Sequence, residues 1–237
     1  MKTSRRSFLK HISAVAAAPL ILPSGMWGAA TKPNDRVVMG FIGMGKQSRG
    51  LLNAFLHHKE CQVVAVCDVD TTRRTNAQEV VNDYYKANPE RGTADCSAYV
   101  DFRKIIERDD INAVCIATPD HWHAIPTIAA LKSGKDVYCE KPLTHNIHES
   151  ITVMNTVAET GQVLQTGSMQ RSMKEFRIAC ELVQNGIAGK ISRVECSFGP
   201  PGKPCDLPEE EMEPGLDWDM WIGPGPMRPY SSVLSPR

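Results

Sequence analysis

Lys141 is the side chain in this sequence most suited to acid–base chemistry. It follows Glu140 and precedes Pro142, at the end of the segment 135–139, which predicts a core strand. A lysine amine at a strand end can polarise a substrate oxygen or relay its proton. A surface ion pair with Glu140 is the ordinary alternative. The position at the end of a core strand favours a catalytic role for Lys141.

A glycine turn near residue 43 indicates a phosphate-binding site. The β-branched apolar run 37–42 predicts a strand, and apolar residues at helical spacing after Gly45 predict a helix. A strand, a tight turn and a helix N-terminus together offer backbone N–H groups to a diphosphate. The third glycine position of the usual fingerprint holds Ser48, so an ordinary turn remains open. The residues assigned here to the cofactor are Gly43, Met44, Gly45, Lys46 and Gln47.

Asp68 ends the second apolar run, 23 residues after Gly45. That is the distance and strand end at which a carboxylate accepts hydrogen bonds from the adenosine ribose. A helix cap is the alternative role for this aspartate. A carboxylate here repels a 2′-phosphate, so we expect NAD rather than NADP, although Arg73 and Arg74 reduce that preference.

A polar cluster at residues 118–123 ends the next core strand, which is predicted within 111–119. Ligands of open α/β sheets bind at the carboxyl ends of strands, so this cluster faces the expected crevice. His121 and His123 also suit surface or capping positions. The remaining residues assigned to the cofactor are Thr118, Pro119, His123 and Glu140.

Strands and helices alternate from residue 37 to 167, which predicts an α/β fold with a doubly wound, Rossmann-type parallel sheet. Beyond it, residues 172–184 predict a helix. Residues 190–198 alternate apolar and polar side chains, which predicts a half-buried antiparallel strand. Residues 199–215 predict an exposed loop. An apolar knot of tryptophans at 218–222 is interpreted as core packing rather than as a binding element.

The N-terminus predicts export. Residues 1–30 contain Lys2, Arg5, Arg6 and Lys10, no acid, and a modestly apolar stretch at 12–22. This is a twin-arginine signal with the export machinery as its partner, and it predicts a periplasmic or extracytoplasmic location. The stretch is short and interrupted by proline, so no stable membrane anchor is expected. The rest of the chain has a net charge of −4, which argues against nucleic acid as a partner.

The eight cysteines predict free thiols rather than disulfides. No C-x-x-C is present, and their spacing gives no support for a metal site. Cys67, Cys115, Cys139 and Cys196 lie within apolar strand patterns. Folding in a reducing compartment would leave them as buried thiols.

From residue 37 to about 235 the chain resembles the glucose–fructose oxidoreductase / inositol dehydrogenase / MocA family. The resemblance rests on the glycine turn, Asp68, the run 117–123 and, above all, the motif Gly134-Lys135-x-Val137-x-x-Glu140-Lys141-Pro142. It implies NAD or NADP binding and redox chemistry at a carbinol carbon of a sugar or cyclitol. It also implies that Lys141 lies beside nicotinamide and substrate.

Family members continue into a large open antiparallel sheet, which supplies an Asp and a His to the site and often mediates homo-oligomers. We therefore expect three parts: a signal peptide at 1–30, an NAD(P)-binding domain at 34–167, and the incomplete start of an α+β substrate domain at 168–237.

Three functions fit the sequence. The first is an NAD(P)-dependent oxidoreductase acting on a sugar-like small molecule. The second is a redox-neutral glycoside hydrolase or lyase of the same family, which oxidises the sugar only transiently. The third is a truncated cofactor-binding remnant without activity.

Overall fold

The computed structural model describes residues 35–200 and 206–235. Its strands are β1 (Val37–Ile42), β2 (Cys61–Cys67), β3 (Ser97–Tyr99), β4 (Ala113–Ile116), β5 (Asp136–Glu140) and β6 (Leu164–Gly167). Its helices are α1 (Lys46–His57), α2 (Thr71–Ala87), α3 (Arg103–Ile106), α4 (Ala124–Lys132), α5 (Ile147–Thr160), α6 (Lys174–Gln184) and α7 (Trp218–Ile222). Two short 3₁₀ turns cover Asp120–Trp122 and Met169–Ser172.

The six strands form one parallel sheet in the order β3-β2-β1-β4-β5-β6. This is the doubly wound order predicted from the sequence, and the chain reverses direction across the sheet between β1 and β4. β1 lies at that reversal and carries an apolar run because helices cover both faces. A crevice for a ligand is expected above the carboxyl ends of β1 and β4.

Two apolar layers hold the sheet between its helices. On one face Phe41 packs with Leu52 of α1 and Val81 of α2. On the other face Val114 packs with Leu131 of α4. All five side chains are almost completely buried, so deleting any one would leave a cavity. This packing fixes the strand ends on which the site is built.

Local capping explains where the flanking helices begin and end. Asp70 accepts hydrogen bonds from the N–H groups of Thr72 and Arg73 at the start of α2. Asn146 caps α5 through the N–H of Glu149, so this helix begins at Ile147. Gly161 ends α5 with a φ of 71°, a left-handed conformation that glycine adopts without strain.

The expected apolar knot is a small third core. Leu216, Trp218, Ile222 and Tyr230 are buried together, which confirms the packing interpretation for these side chains. Trp221 stacks on Trp218 with ring centroids 4.7 Å apart and remains half-exposed.

The predicted antiparallel strand at 190–198 is wrong. Residues 190–200 contain no strand, and Ile191, Val194 and Phe198 are 51%, 76% and 88% exposed. An alternating pattern forms a strand only beside another strand edge, and no strand of the described ranges pairs with this segment. Cys196, expected to be buried, is exposed for the same reason.

The other strand cysteines agree with the prediction. Cys67, Cys115 and Cys139 are buried free thiols, as is Cys96. Burial raises the pKa of Cys139 to about 11, so this thiol stays protonated and unreactive at neutral pH.

The predicted export signal at 1–30 lies outside the described residues, and the boundary at 167 stays a prediction. Within the two described ranges, no helix has both the length and the apolar character needed to cross a bilayer.

Candidate functional site

The glycine turn after β1 forms the floor of a groove at the carboxyl edge of the sheet. Gly43 has a φ of 84°, and a Cβ there would lie 2.7 Å from the backbone nitrogen of Thr118. Both the conformation and the close approach therefore require glycine. A Cβ at Gly45 would meet nothing within 4 Å, because this residue faces the open groove.

Helix α1 points its N-terminus at this groove. Lys46 and Gln47 line the groove beside the turn. The first N–H groups of an α-helix have no intrahelical acceptor, and the helix dipole favours an anion at that end. Ser48 is completely buried, where its small side chain lets α1 approach the sheet. The serine in the third glycine position therefore preserves the turn.

Met44 contributes to the turn through its backbone rather than to the groove lining. Its side chain is 1% exposed and packs in the core. Its N–H donates to Asp68 Oδ2 over 2.6 Å. The structure therefore gives Met44 a supporting position, behind the other four residues predicted at the turn.

Asp68 lies at the end of β2 and lines the groove. Its Oδ1 accepts from the N–H of Asp70 over 2.8 Å, while Oδ2 accepts from Met44. Burial raises the pKa of the Asp68 carboxyl, and the two backbone hydrogen bonds only partly oppose that shift. A carboxylate oxygen accepts more than one hydrogen bond, so Asp68 can hold the turn and still receive ribose hydroxyls.

Thr118 and Pro119 line the opposite bank of the groove, after β4. Thr118 Oγ1 is buried and has no hydrogen-bond partner among the described residues. Buried hydroxyls in native proteins are nearly always satisfied. An orphaned hydroxyl at the groove therefore indicates a polar ligand group at this point.

His123 is not among the residues that line the groove. It is 1% exposed, and its Nδ1 and Nε2 lie 2.6 Å and 2.9 Å from the carbonyl oxygens of Pro142 and Thr118. The ring joins the segment after β4 to the segment after β5. Its contact with the cofactor stays a prediction, and the structure shows a bridge between these two loops.

Glu140, the last residue of β5, joins α1 to β5 and lies against β6. Its Oε1 accepts from Gln47 Nε2 over 3.2 Å and from the Tyr138 hydroxyl over 3.1 Å. A Cβ at Gly167 would lie 2.5 Å from the same oxygen, so glycine in β6 makes room for this carboxylate. Burial and the nearby Glu140 raise the pKa of Tyr138 to about 12, which keeps its hydroxyl a donor. Glu140 positions α1 against β5 and does not itself line the groove.

Lys141 follows β5 directly, and its side chain is exposed. The Lys141–Pro142 bond is cis. The Lys141 N–H lies 3.3 Å from Glu140 Oε2. The sheet order puts β5 beside β4 and two strands away from β1. Lys141 therefore stands at the carboxyl edge on the β5 side, beyond the lining of the groove around Asp68.

These features fit a nicotinamide dinucleotide. The turn at Gly43 and Gly45 exposes backbone to a diphosphate, and Asp68 supplies a ribose acceptor. The orphaned Thr118 hydroxyl supplies a further polar contact.

A comparison with protein families agrees with this geometry. Residues 37–168 match the model described as "Oxidoreductase family, NAD-binding Rossmann fold", named GFO_IDH_MocA. The chain belongs to the Gfo/Idh/MocA family. The resemblance inferred from the motifs is thereby confirmed, and so is the NAD-binding Rossmann fold.

Relatives of this Gfo/Idh/MocA chain include bacterial proteins named as glycosidases. A glycosyl hydrolase family 109 protein from Shewanella pealeana is 27% identical over 215 residues, 84% of this chain and 46% of that protein. One from Shewanella putrefaciens is 27% identical over 211 residues, 82% of this chain and 45% of the relative. The chain spans about half the length of the curated relatives it matches.

Solved structures in the same fold include cyclitol dehydrogenases. A myo-inositol 2-dehydrogenase from Lactobacillus plantarum is 26% identical with a TM-score of 0.55, over 66% of this chain and 43% of that one. A scyllo-inositol dehydrogenase from Lactobacillus casei, with NAD(H) and scyllo-inositol bound, has a TM-score of 0.58 at 23% identity over 66% and 43% of the chains. At that identity it supports the fold alone.

Sequence reasoning missed three features of the groove. Met220 and Trp221 line the groove, although the sequence predicts only core packing for their segment. Trp122 lines the groove from the segment that follows β4. No short motif marks a contact made across about 100 residues of chain. The link from Gln47 to Glu140 was missed for the same reason.

Proposed function

We propose that this chain carries the cofactor-binding part of an oxidoreductase that acts on a CH–OH group of a sugar, sugar derivative or cyclitol. The observation that carries the proposal is the order of groups along the carboxyl edge. Asp68 and the glycine turn lie at the β2–β1 side, and Glu140 and Lys141 lie at the β5 side. A dinucleotide laid along that edge has its adenosine at Asp68 and its nicotinamide toward Lys141.

NAD supplies, when bound, the acceptor or donor of a hydride. In oxidation of the substrate, the carbinol carbon loses that hydride and its hydroxyl loses a proton, so that a C=O bond forms. Lys141 is proposed to polarise the hydroxyl oxygen or to relay its proton, and in the reverse direction it returns the proton.

Glu140 and His123 hold Lys141 in place in this proposal. Glu140 fixes the end of β5 through Gln47, and His123 fixes Pro142, the residue after Lys141. A catalytic group displaced by about an ångström loses much of its effect. Both residues therefore act through position and need not contact the substrate.

NAD is the proposed cofactor in preference to NADP. The buried carboxylate of Asp68 would meet a 2′-phosphate with like charge. Arg73 lines the same groove and reduces this preference.

A second candidate function is redox-neutral cleavage of a glycosidic bond. The relatives named as glycosyl hydrolase family 109 proteins favour it. In this candidate the sugar is oxidised transiently, the aglycone leaves as the glycosidic bond breaks, water supplies the replacing hydroxyl, and the hydride returns to the sugar. The same cofactor groove and the same Lys141 serve both functions.

The test uses the full-length gene product with NAD, a panel of sugars and cyclitols, and matching aryl glycosides. NADH absorbance and free-sugar release are followed together. The proposed oxidoreductase forms NADH in proportion to substrate consumed. Sugar release without NADH accumulation would establish the second candidate instead, and neither signal from an NAD-bound protein would refute both.

We further propose that the protein is exported by the twin-arginine machinery. Arg5-Arg6, the apolar stretch at 12–22 and the small residues at 28–30 support this. A protein that folds around a cofactor before export suits that route.

A further inference from the structure

The segment 215–223 is anchored to the bank of the groove that carries Asp68. Thr71 donates to the carbonyl of Gly215 from both its N–H and its hydroxyl, each over 2.9 Å. The Asp217 N–H donates to the Val69 carbonyl over 3.2 Å. These contacts lie within three residues of Asp68, the predicted ribose acceptor.

The same segment is anchored to the opposite bank, after β4. Trp122 Nε1 lies 3.0 Å from the carbonyl oxygens of both Met220 and Trp221. His121 Nε2 lies 2.9 Å from the Trp221 carbonyl. A Cβ at Gly223 would overlap the Trp122 ring, so α7 ends tightly against this bank. The segment therefore joins both banks beside Asp68.

Met220 and Trp221 are the members of α7 that line the groove. Both are partly exposed there, while their neighbours Trp218 and Ile222 are buried in the third core. The Trp221 ring is held by stacking on Trp218 at an interplanar angle of 12°. A rigid indole and a thioether at a largely apolar wall offer a flat aromatic ligand a stacking surface.

Given the proposed function, we propose that Met220 and Trp221 form the outer wall of the adenine subsite and close the groove over the base of the dinucleotide. The wall acts on the adenine half because its anchors adjoin Asp68, whereas Lys141 lies across β1 and β4 at the other side of the sheet. Val69 and Val100 line the same end of the groove and would face the base from within.

The wall also predicts slow release of the nucleotide. In the proposed arrangement α7 covers the base, and moving α7 aside breaks the hydrogen bonds from Trp122 and His121. Loss of the Trp221 ring would therefore raise the dissociation rate more than it lowers the association rate.

The test compares three probes by calorimetry: NAD, ADP-ribose and nicotinamide mononucleotide. We expect Trp221→Ala to weaken ADP-ribose and NAD roughly 5- to 150-fold, the range for removing a base-stacking side chain. Met220→Ala should weaken both less. Trp221→Phe keeps an aromatic plane and should retain most affinity. Nicotinamide mononucleotide lacks adenine and should bind all variants alike.

Two controls separate a wall from simple packing. Met227→Ala removes an exposed methionine of the same region that does not line the groove, and it should leave all three affinities unchanged. Trp218→Phe weakens the third core without touching the groove, so a drop in its melting temperature without a matching loss of ADP-ribose affinity supports the wall. Equal losses of ADP-ribose affinity in Trp218→Phe and Trp221→Ala would overturn it.

The experiment distinguishes failure of the adenine wall from failure of the proposed function. A wild-type chain that binds none of the dinucleotide probes refutes the function itself. A wild-type chain that binds NAD, with folded Trp221→Ala and Met220→Ala that match it for ADP-ribose, refutes only the wall. If Trp221→Ala does not fold, quenching of tryptophan fluorescence by ADP-ribose decides: it should fall in Trp221→Phe, and an unchanged signal would overturn the proposal.

Discussion

Replacing Asp68 with asparagine removes two separate functions of one carboxylate. The proposed bonds from the ribose hydroxyls lose a charged acceptor, and hydrogen bonds to charged groups contribute about 1.5–3 kcal/mol each. We therefore expect NAD affinity to fall roughly 10- to 150-fold. NADP affinity should fall less, because the repulsion of its 2′-phosphate is removed with the charge.

The same change should destabilise the free protein. Asp68 accepts from Met44 and Asp70 through its two oxygens, whereas asparagine has one carbonyl oxygen and an NH₂ group that cannot accept. One buried N–H is then left without its acceptor, which costs about 1–3 kcal/mol. The melting temperature should drop accordingly.

The assay is calorimetric titration of wild type and Asp68→Asn with NAD and NADP, together with thermal denaturation. Asp83→Asn is the matched control, because Asp83 is exposed on α2 and forms an exposed ion pair with Lys86. NAD affinity within two-fold of wild type in Asp68→Asn would refute the ribose role.

The pH dependence of binding follows from the same carboxylate. Its pKa in the free protein lies above that of an ordinary exposed aspartate, chiefly because of burial. Ribose hydroxyls donate to the ionised form, so NAD affinity should fall as the pH is lowered through that raised pKa. The fall should begin at a higher pH than for an exposed aspartate. Asp68→Asn should show no such fall, and a parallel decline in both proteins would assign the effect to another group.

Three further changes test other parts of the structure. Gly167→Ala puts a Cβ 2.5 Å from the buried Glu140 carboxylate and should lower the free energy of unfolding in urea by about 1–3 kcal/mol. The control Gly50→Ala has open space around its Cβ and should not destabilise α1; equal losses in the two variants would contradict the crowding at Gly167. Lys141→Met in the full-length gene product should lower kcat on the order of 100- to 10,000-fold with little change in NAD affinity, and turnover within a few-fold of wild type would remove this lysine from the mechanism. Replacing Arg5 and Arg6 with lysine should hold the unprocessed protein in the cytoplasm, and normal export of this variant would disprove the twin-arginine signal.

The sheet could be predicted from the sequence because its signals are local. Apolar runs of strand length, glycines after helices and an acid at the end of β2 each occur within a few residues. The doubly wound order then follows from the alternation of strands and helices. The sequence could indicate four residues of the groove because each lies in a motif that follows the end of a predicted strand: Gly43, Gly45, Asp68 and Thr118.

The errors concern contacts distant in sequence. The alternation at 190–198 is a real pattern, but a strand also needs a neighbouring edge, which no local window reports. The two carbonyl oxygens near the His123 ring belong to Thr118 and Pro142, a bridge that no local pattern reports, while its contact with the cofactor stays a prediction. A tryptophan in an apolar segment is typical of a core, and only the contact of α7 with Trp122 places Trp221 at the groove.

The central claim is that the groove at Gly43 and Asp68 binds a nicotinamide dinucleotide. Calorimetric titration of the wild-type chain with NAD, beside Gly43→Ala, tests it most directly. A Cβ at this position, with a φ of 84°, would lie 2.7 Å from the Thr118 backbone. The wild-type chain should bind one NAD saturably, and a folded Gly43→Ala should lose that binding. A wild-type chain that binds neither NAD nor NADP, or a Gly43→Ala that binds as wild type does, would contradict it.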